Sequence, residues 1–558
     1  MKIKKLIIKN FRGLKGDENI IEFKDSEIIF LIGKNNAGKS TFLSAYSFFV
    51  KAKQISLIKD YYNLDNNIPI EIEAIYEVNK KEDEKEKSLK KEDPDWISKW
   101  VSSDNEIRIK KIWKQKDQEG HKQTFNPTTK EFQDGGFGGF DTLLTKYSPT
   151  PIHINAVLTV EDLEKNINDI VSKNHIKKLE TTYSKTYSEI LNGLQNLKNQ
   201  IAESNDITKI NSEMNKFFSE IFPNMELAIY SLPDEGIDIT KTLKSTHGIK
   251  VSEQNKSDQD IDLKQNGHGI IRQAFFSFLS TYGNEINSKE KQYLILFEEP
   301  ELYMHPEASF SLRKQLYDLS KNSPYQILCA THSPLMIDLE QPHSSLVRLV
   351  KREDDTTKTF QVNFDIFQDI ERSYIQMINR FNPHICESFF SEQVVLVEGD
   401  TEAVTYRELI NRYYKNNTYY ILNTGSKSNM QFYQKVLTHF GIKHIIVHDS
   451  DSAKIKTKTG SIQKNPMATV NENIWKQIIN SNTIIHGIAR RYVHFRNFEE
   501  SHNYEVDAEQ GKPFSAFQFA SKINKGQPLP CFEFLDDLFG NNQINITQEE
   551  IEKKISEF

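Results

Sequence analysis

Two acidic segments in the second half of the chain have the residue types and spacing of phosphoryl chemistry. Val394-Val-Leu-Val-Glu398-Gly399-Asp400-Thr401-Glu402 reads as an apolar strand that delivers Glu398 at its C-terminal edge. Gly399 permits a tight turn into a helix whose first turn carries Glu402. His444-Ile-Ile-Val-His-Asp449-Ser450-Asp451 reads as a second strand end, and alternation along it puts Asp449 and Asp451 on one side. Carboxylates gathered at adjacent strand ends are costly to leave uncompensated, and hard divalent cations are their natural complement. Two such ions, about 3.5–4 Å apart, suit in-line displacement at a phosphodiester, one activating water and the other steadying the leaving oxygen.

The N-terminal part carries a different pattern. Gly33-Lys34-Asn35-Asn36-Ala37-Gly38-Lys39-Ser40-Thr41 closes the buried strand Glu27–Ile32 and opens a helix running from Ser40 to about Val50. Such a loop turns its backbone N–H groups toward phosphates at Gly33 and Gly38, while Lys39 reaches the β/γ oxygens and Ser40 offers a hydroxyl to Mg²⁺. Tyr293-Leu-Ile-Leu-Phe-Glu298-Glu299-Pro300-Glu301 is an apolar strand ending in paired carboxylates, Glu298 for Mg²⁺ and Glu299 to polarise the attacking water. Thr331-His332-Ser333 follows the next strand and brings a histidine toward the γ-phosphate. Gly267-His268-Gly269 precedes an apolar helix, Ile270 to Leu279, where a signature loop belongs. Its helix N-terminus could meet a nucleotide held by another subunit. One chain carries one phosphate loop and one signature, so a composite ATP site implies a homodimer or a higher homo-oligomer.

The elements that must position these residues alternate strand and helix, which argues α/β. At 558 residues the chain exceeds what one core supports. We divide it into an ATPase part at 1–159, a helical insertion at 160–222, the rest of the ATPase at 223–354, a linker at 355–389 and a second α/β domain at 390–558. The insertion has Leu163, Ile167, Ile170, Leu191, Leu194 and Leu197 as stripe residues; it is a hairpin serving its own packing or a dimerisation arm. Residues 2–9 and 20–32 read as strands, as do Ile68–Val78, Gln292–Phe297, Gln326–Ala330, Val394–Val397, Tyr419–Leu422 and His444–Val447. Lys80–Asp95 is a charge run with the character of a solvated loop.

Composition narrows the class. With 27% charged residues and no apolar run of about 18 residues, nothing in the sequence spans a bilayer. The N-terminus lacks the apolar core of a signal peptide, and three scattered cysteines, Cys329, Cys386 and Cys531, suit a reducing cytoplasm and read as structural. Net charge is −7, so DNA must be met by a local basic patch. Lys454, Lys456, Lys458 and Lys464, with Arg490, Arg491 and Arg496, either supply that patch or form a solvated basic loop.

The first half resembles the SMC/RecF/OLD branch of ABC ATPases, through the phosphate loop with Asn35, the Glu-Glu-Pro-Glu strand end and the Thr-His-Ser loop. The second resembles a Toprim domain, through the Glu398 and Asp449 strand ends and the Asn423-Thr424-Gly425 turn between them. Their fusion is similar to the OLD (overcoming lysogenisation defect) nucleases. That resemblance implies a DNA endonuclease or nickase with ATP in its other half, Mg²⁺ or Mn²⁺ as cofactor, two ions in the Toprim site and one with ATP. It implies Glu398, Glu402, Asp449 and Asp451 as ligands, Glu499 as a later acidic ligand, with Glu500 competing, and Lys512 as the residue that steadies the scissile phosphate. It also implies defence against phage, with relatives acting alone, beside a helicase or with a retron. The alternatives are an ATP-dependent DNA clamp or repair ATPase with a non-cleaving Toprim unit, and a topoisomerase or primase.

Overall fold

The computed structural model describes residues 1–80, 95–136, 147–157, 159–165, 167–168, 205–231, 247–253, 261–262, 267–285, 292–321, 323–367, 373, 376, 384–414, 419–456, 461–540 and 544–557. The chain divides into two compact units. One comprises Met1–Leu31, Asn36–Met336 and Lys351–Thr357, and the other Ile32–Asn35, Ile337–Val350 and Lys358–Phe558.

The first unit contains an antiparallel sheet of β1 (Lys2–Lys9), β2 (Asn19–Glu22), β4 (Ile70–Glu77), β5 (Glu106–Trp113), β6 (His121–Asn126) and β7 (Glu131–Asp134), in the order β2-β1-β4-β5-β6-β7. The segment expected as one strand over 20–32 is two, β2 and the buried β3 (Ile28–Ile32), because Lys24-Asp-Ser26 turns the chain between them. β5 alternates half-buried and buried residues, with Ile107, Ile109 and Trp113 inward and Arg108 and Lys110 outward. The inward Lys111 is tolerated because its ammonium donates to the Lys51 carbonyl, 3.2 Å away.

The sheet that carries the phosphate loop includes the run β3-β13-β12-β8, with β8 (Thr150–Ile154), β12 (Tyr293–Glu298) and β13 (Tyr325–Thr331). β12 is parallel to both of its neighbours. Every residue of β3 and β13 is buried, as expected of strands covered on both faces. Helix Lys39–Val50 follows β3, and helix Pro306–Ser320 links β12 to β13.

A small antiparallel sheet, β9 (Met225–Ser231), β10 (His247–Glu253) and β11 (Ile261–Asp262), has its β9 edge covered by helix Asn205–Ser219. Asn211 and Asn215, one turn apart, each donate to and accept from the backbone of Ile229 and Leu227 at 2.7–3.2 Å. Such pairing satisfies an edge that would otherwise invite another strand. Of the expected insertion, Leu163 and Ile167 are buried. Ile170, Leu191, Leu194 and Leu197, and most of the Lys80–Asp95 run, lie outside the described residues.

In the second unit the stretch expected as a linker carries structure. β14 (Leu346–Lys351) precedes it, and β15 (Thr357–Gln361) and helix Ile385–Ser388 lie within it. Buried Arg348 donates to the carbonyls of Phe389, Ser391, Phe440 and Gly441, tying this stretch to the α/β core. That core is a four-stranded parallel sheet of β16 (Gln393–Val397), β17 (Tyr419–Asn423), β18 (Lys443–Asp449) and β21 (Ala489–His494), ordered β17-β16-β18-β21. A short hairpin, β19 (Lys454–Lys456) and β20 (Ile462–Lys464), lies between β18 and β21 in the chain. The first three core strands were expected and β21 was not. Helices Asp400–Tyr413, Met430–His439 and Pro466–Ile484 make the crossovers, the last starting on Asn465, whose side chain accepts from Met467 N. Among the described residues no helix is long and apolar enough to cross a membrane.

Candidate active centres

The phosphate loop leaves β3 through Gly33 and turns at Asn36 (φ 64°) and Gly38 (φ 98°). A Cβ at Gly38 would lie 2.6 Å from Leu14 Cδ2, so only glycine fits there. Asn35 and Asn36 are exposed, and Thr41 stands in the first turn of the following helix. Lys39 is buried, with Nζ 3.3 Å from His332 Nδ1. Burial pulls its ammonium down to about 8, against the pull of Glu299, Glu301 and Glu298. Ser40 Oγ donates to Glu298 Oε1.

Parallel pairing of β12 with β13 sets Glu298 opposite Ala330, so the paired carboxylates and His332 emerge side by side. His332 N donates to Glu299 Oε2 at 3.1 Å, and its Nε2 lies 3.4 Å from Oε1. Burial first, then Glu301, pushes the Glu299 carboxyl up to about 8, so that it can exchange a proton near neutrality. Burial and Lys39 pull His332 below its ordinary value. Lys39, Ser40, Glu298, Glu299 and His332 thus form one group. Gly267 and Gly269 lie at the start of helix His268–Glu285, and a Cβ at Gly267 would meet nothing within 4 Å among the described residues.

Sequence reasoning missed Arg272. Fully buried, it donates to the carbonyls of Glu299 and Leu302, holding the turn in which Glu299 has φ 48°. The single arginine of a helix with an apolar centre was the available signal.

In the second unit, Thr424 donates to the Val397 carbonyl through both N–H and Oγ1, and Asn423 Oδ1 accepts from Gly425 N. This fixes the exit of β16, where Glu398 emerges. Asp449 N donates to Glu398 Oε1 at 2.8 Å. Asp451 does not reach its place by strand alternation. β18 ends at Asp449, and Asp451 is left-handed (φ 56°), its N–H bonded to the Arg496 carbonyl while Ser450 N bonds to the His494 carbonyl. The unexpected β21 therefore shapes the acidic turn.

Buried carboxyls crowd together here, and each is costly to ionise. Burial, reinforced by Glu398 and Glu402, pushes Asp449 up to about 9, and burial with Glu398 and Glu499 pushes Glu402 up to about 7. Glu398 is also raised by burial, with Lys427 the main opposing influence. Asp449 Oδ1 is buried and has no hydrogen-bond partner among the described residues. Glu499 opens helix Phe498–His502, and its charge reaches both Glu398 and Glu402. Glu500 is engaged by Asn497 and Arg496 at 2.9 and 3.2 Å. Lys512 starts helix Lys512–Lys522, and its charge reaches Glu402.

Lys427, which the sequence did not single out, is 3% exposed in the middle of this group. Among the described residues no three His, Cys, Asp or Glu side chains are closed up around a metal position. Buried carboxyls that resist ionisation on their own, with Asp449 Oδ1 lacking a partner among the described residues, nonetheless fit a divalent cation.

The basic cluster separates into different roles. Arg490 pairs with Asp537 at 2.6 Å, and fully buried Arg491 donates to the Ile546 carbonyl at 2.8 Å and lies 4.6 Å over the Trp475 ring. Both belong to β21, so neither forms a DNA patch or a solvated loop. Lys454 and Arg496 are exposed, the latter paired with Glu500. Lys458 and the side chains of Lys456 and Lys464 lie outside the described residues. The three cysteines are buried free thiols, in keeping with a structural role.

Residues 1–337 match the family described as AAA ATPase domain. The chain belongs to that family. Residues 389–451 of this AAA ATPase-domain protein match the Overcoming lysogenization defect protein-like TOPRIM domain, the segment that holds Glu398, Glu402, Asp449 and Asp451. The chain is 26% identical to the Old nuclease of Escherichia phage P2 over 469 residues, covering 80% of this chain and 76% of that protein. It is 24% identical to Endonuclease GajA of Bacillus cereus (strain VD045) over 491 residues, covering 82% and 77%. Among solved structures, an Smc head bound to the C-winged helix domain of ScpA aligns with a TM-score of 0.42 and 12% identity, covering 65% of this chain and 98% of that one.

Proposed function

We propose that this protein is a divalent-metal-dependent DNA endonuclease or nickase of the OLD type, regulated by ATP and serving anti-phage defence in the cytoplasm. The observation that carries the reading is the group of carboxyls at the ends of β16 and β18, where burial and mutual repulsion make Asp449 and Glu402 costly to ionise unless a cation offsets their charge. The names of the two nuclease relatives support the same class of activity.

Glu398, Glu402, Asp449, Asp451 and Glu499 would hold the ions. Mg²⁺ or Mn²⁺ bound there supplies an activated water and steadies the leaving oxygen. The amide of Asp449 fixes Glu398, and the Arg496 carbonyl, just past β21, fixes the backbone of Asp451. Lys512 steadies the scissile phosphate. In the ATPase centre the loop from Gly33 to Thr41, with Lys39, binds phosphates, and Ser40 and Glu298 hold the nucleotide's Mg²⁺. Glu299 takes a proton from the attacking water, with His332 fixing its carboxylate. Gly267 and Gly269 present a helix start to a second copy's nucleotide, which makes the working form a homodimer or larger. A helicase or a retron is the class of companion this reading admits.

Plasmid nicking in Mg²⁺ or Mn²⁺, with and without ATP, tests it. Wild type nicks, Glu398→Ala and Asp449→Ala fall to background, and Lys39→Ala changes the ATP response while retaining the metal-dependent step. Equal nicking by Glu398→Ala and wild type overturns the reading. ATP-dependent DNA binding with no nicking at any metal concentration favours the non-cleaving clamp instead.

A further inference from the structure

We propose that Lys427 is the internal counter-ion of the carboxylate group, holding Asp451 in the metal-free chain and surrendering it when a divalent ion enters. Metal uptake is then an exchange of cations, and the lysine sets how tightly the site takes its ions. The inference rests on the reading of Glu398, Glu402, Asp449 and Asp451 as metal ligands.

Three observations carry it. Lys427 Nζ donates to Asp451 Oδ2 at 2.5 Å and to the Asp449 carbonyl, and lies 3.9 Å from Glu398 Oε1. It therefore touches two of the proposed ligands and the backbone of a third. At 3% exposure the ammonium has little water to replace these partners, and a buried ammonium is retained only where anions repay its desolvation. The turn that presents it is also fixed. Ser426 Oγ accepts from Ser428 N, Asn429 N donates to the Ser426 carbonyl, and Asn429 Nδ2 donates to the Thr424 carbonyl at 3.0 Å. The lysine is held from β17, across β16, against the end of β18. Its compact head has three donors, so it can release Asp451 and keep the Asp449 carbonyl without rebuilding the turn.

A lysine that merely supported the fold would, on removal, loosen the site and weaken metal binding. A competing counter-ion does the opposite, since a positive charge a few ångströms from an incoming cation is removed. The test titrates Mn²⁺ into the full-length protein, following free Mn²⁺ by electron paramagnetic resonance, with thermal melts in EDTA and in Mn²⁺. Lys427→Met and Lys427→Gln are expected to melt lower in EDTA, to bind Mn²⁺ at least about tenfold more tightly than wild type, and to show a larger Mn²⁺-induced rise in melting temperature. Lys427→Arg keeps affinity at or below the wild-type value. In an Asp451→Asn background Lys427→Met tightens binding less than it does in wild type, because the partner it releases is gone while its repulsion of the ion remains.

Unchanged or weaker Mn²⁺ affinity in folded Lys427→Met and Lys427→Gln overturns the inference, as does failure of every variant and wild type to bind Mn²⁺. Tight Mn²⁺ binding by Lys427→Met with no nicking by wild type retires the nuclease reading and leaves the counter-ion standing. Nicking by wild type with no change of affinity in Lys427→Met does the reverse.

Discussion

His502 offers a quantitative test of how the C-terminal unit is built. The ring is 2% exposed; its Nδ1 donates to the Phe498 carbonyl at 2.8 Å and its Nε2 accepts from Cys531 N at 2.9 Å, so the folded chain holds it neutral. Burial pulls it from 6.5 down to about 4. The unfolded chain therefore binds more protons than the folded one between those values. Its contribution to stability is complete above pH 6.5 and is lost as pH falls toward 4. At pH 5.5, one unit below the unfolded value, the loss is about 1.4 kcal/mol. Asp449 and Glu402 are shifted the other way and favour the folded state as pH falls, so wild type alone gives a mixed profile. His502→Gln isolates the histidine, because those carboxylates are common to both proteins. The variant costs about 1–3 kcal/mol at pH 7.5, through disturbed hydrogen bonds. The gap between wild type and variant should close by about 1.4 kcal/mol at pH 5.5. Hydrogen exchange of the slowest amides in β18 and β21, corrected for intrinsic rates, reads this as an approximately tenfold change in relative protection. Parallel pH profiles for the two proteins would refute the reasoning.

Glu499→Gln should reduce metal-dependent nicking and Mn²⁺ affinity by about tenfold or more, while Glu500→Gln, which loses only contacts with Asn497 and Arg496, stays near wild type in both assays. Arg491→Met strands acceptors at Asn471, Ile546 and Gln548 and should cost about 3–5 kcal/mol; urea unfolding and faster proteolysis of helix Gln548–Ser556 report it. Gly441→Ala puts a Cβ 2.3 Å from the Phe360 ring at a φ of 65° and should destabilise the second unit by about 2–5 kcal/mol, seen as a lower melting temperature.

Much of both centres was legible because parallel sheets declare themselves. β3, β12, β13, β16 and β18 have largely apolar, buried centres, and within each unit the residues at their carboxyl ends come together. Glu298, Glu299, His332, Glu398 and Asp449 are all found that way. Asp451 was expected beside Asp449 for a reason that does not hold: a left-handed turn braced by β21 positions it. β21 itself was hidden by Arg490 and Arg491, which imitate a surface patch while satisfying buried carbonyls and an aspartate. Lys427 was illegible because Ser-Lys-Ser-Asn has the composition of an exposed turn, and only the fold shows that its cation points inward. The helix Asn205–Ser219 gives no sequence cue that two of its asparagines finish a sheet edge.

Arg272 has a mechanical consequence. Its guanidinium belongs to the helix that begins at Gly267–Gly269, yet its hydrogen bonds end on the carbonyls of Glu299 and Leu302 and, at 3.5 Å, Asn155. Being buried, it has no solvent to slide into, so the helix and the turn that aims Glu299 move as one piece. Any load taken up at the glycine start is delivered to the orientation of a single carboxylate. The aim of the Glu299 carboxylate is thereby written into a rigid strut rather than into a flexible loop.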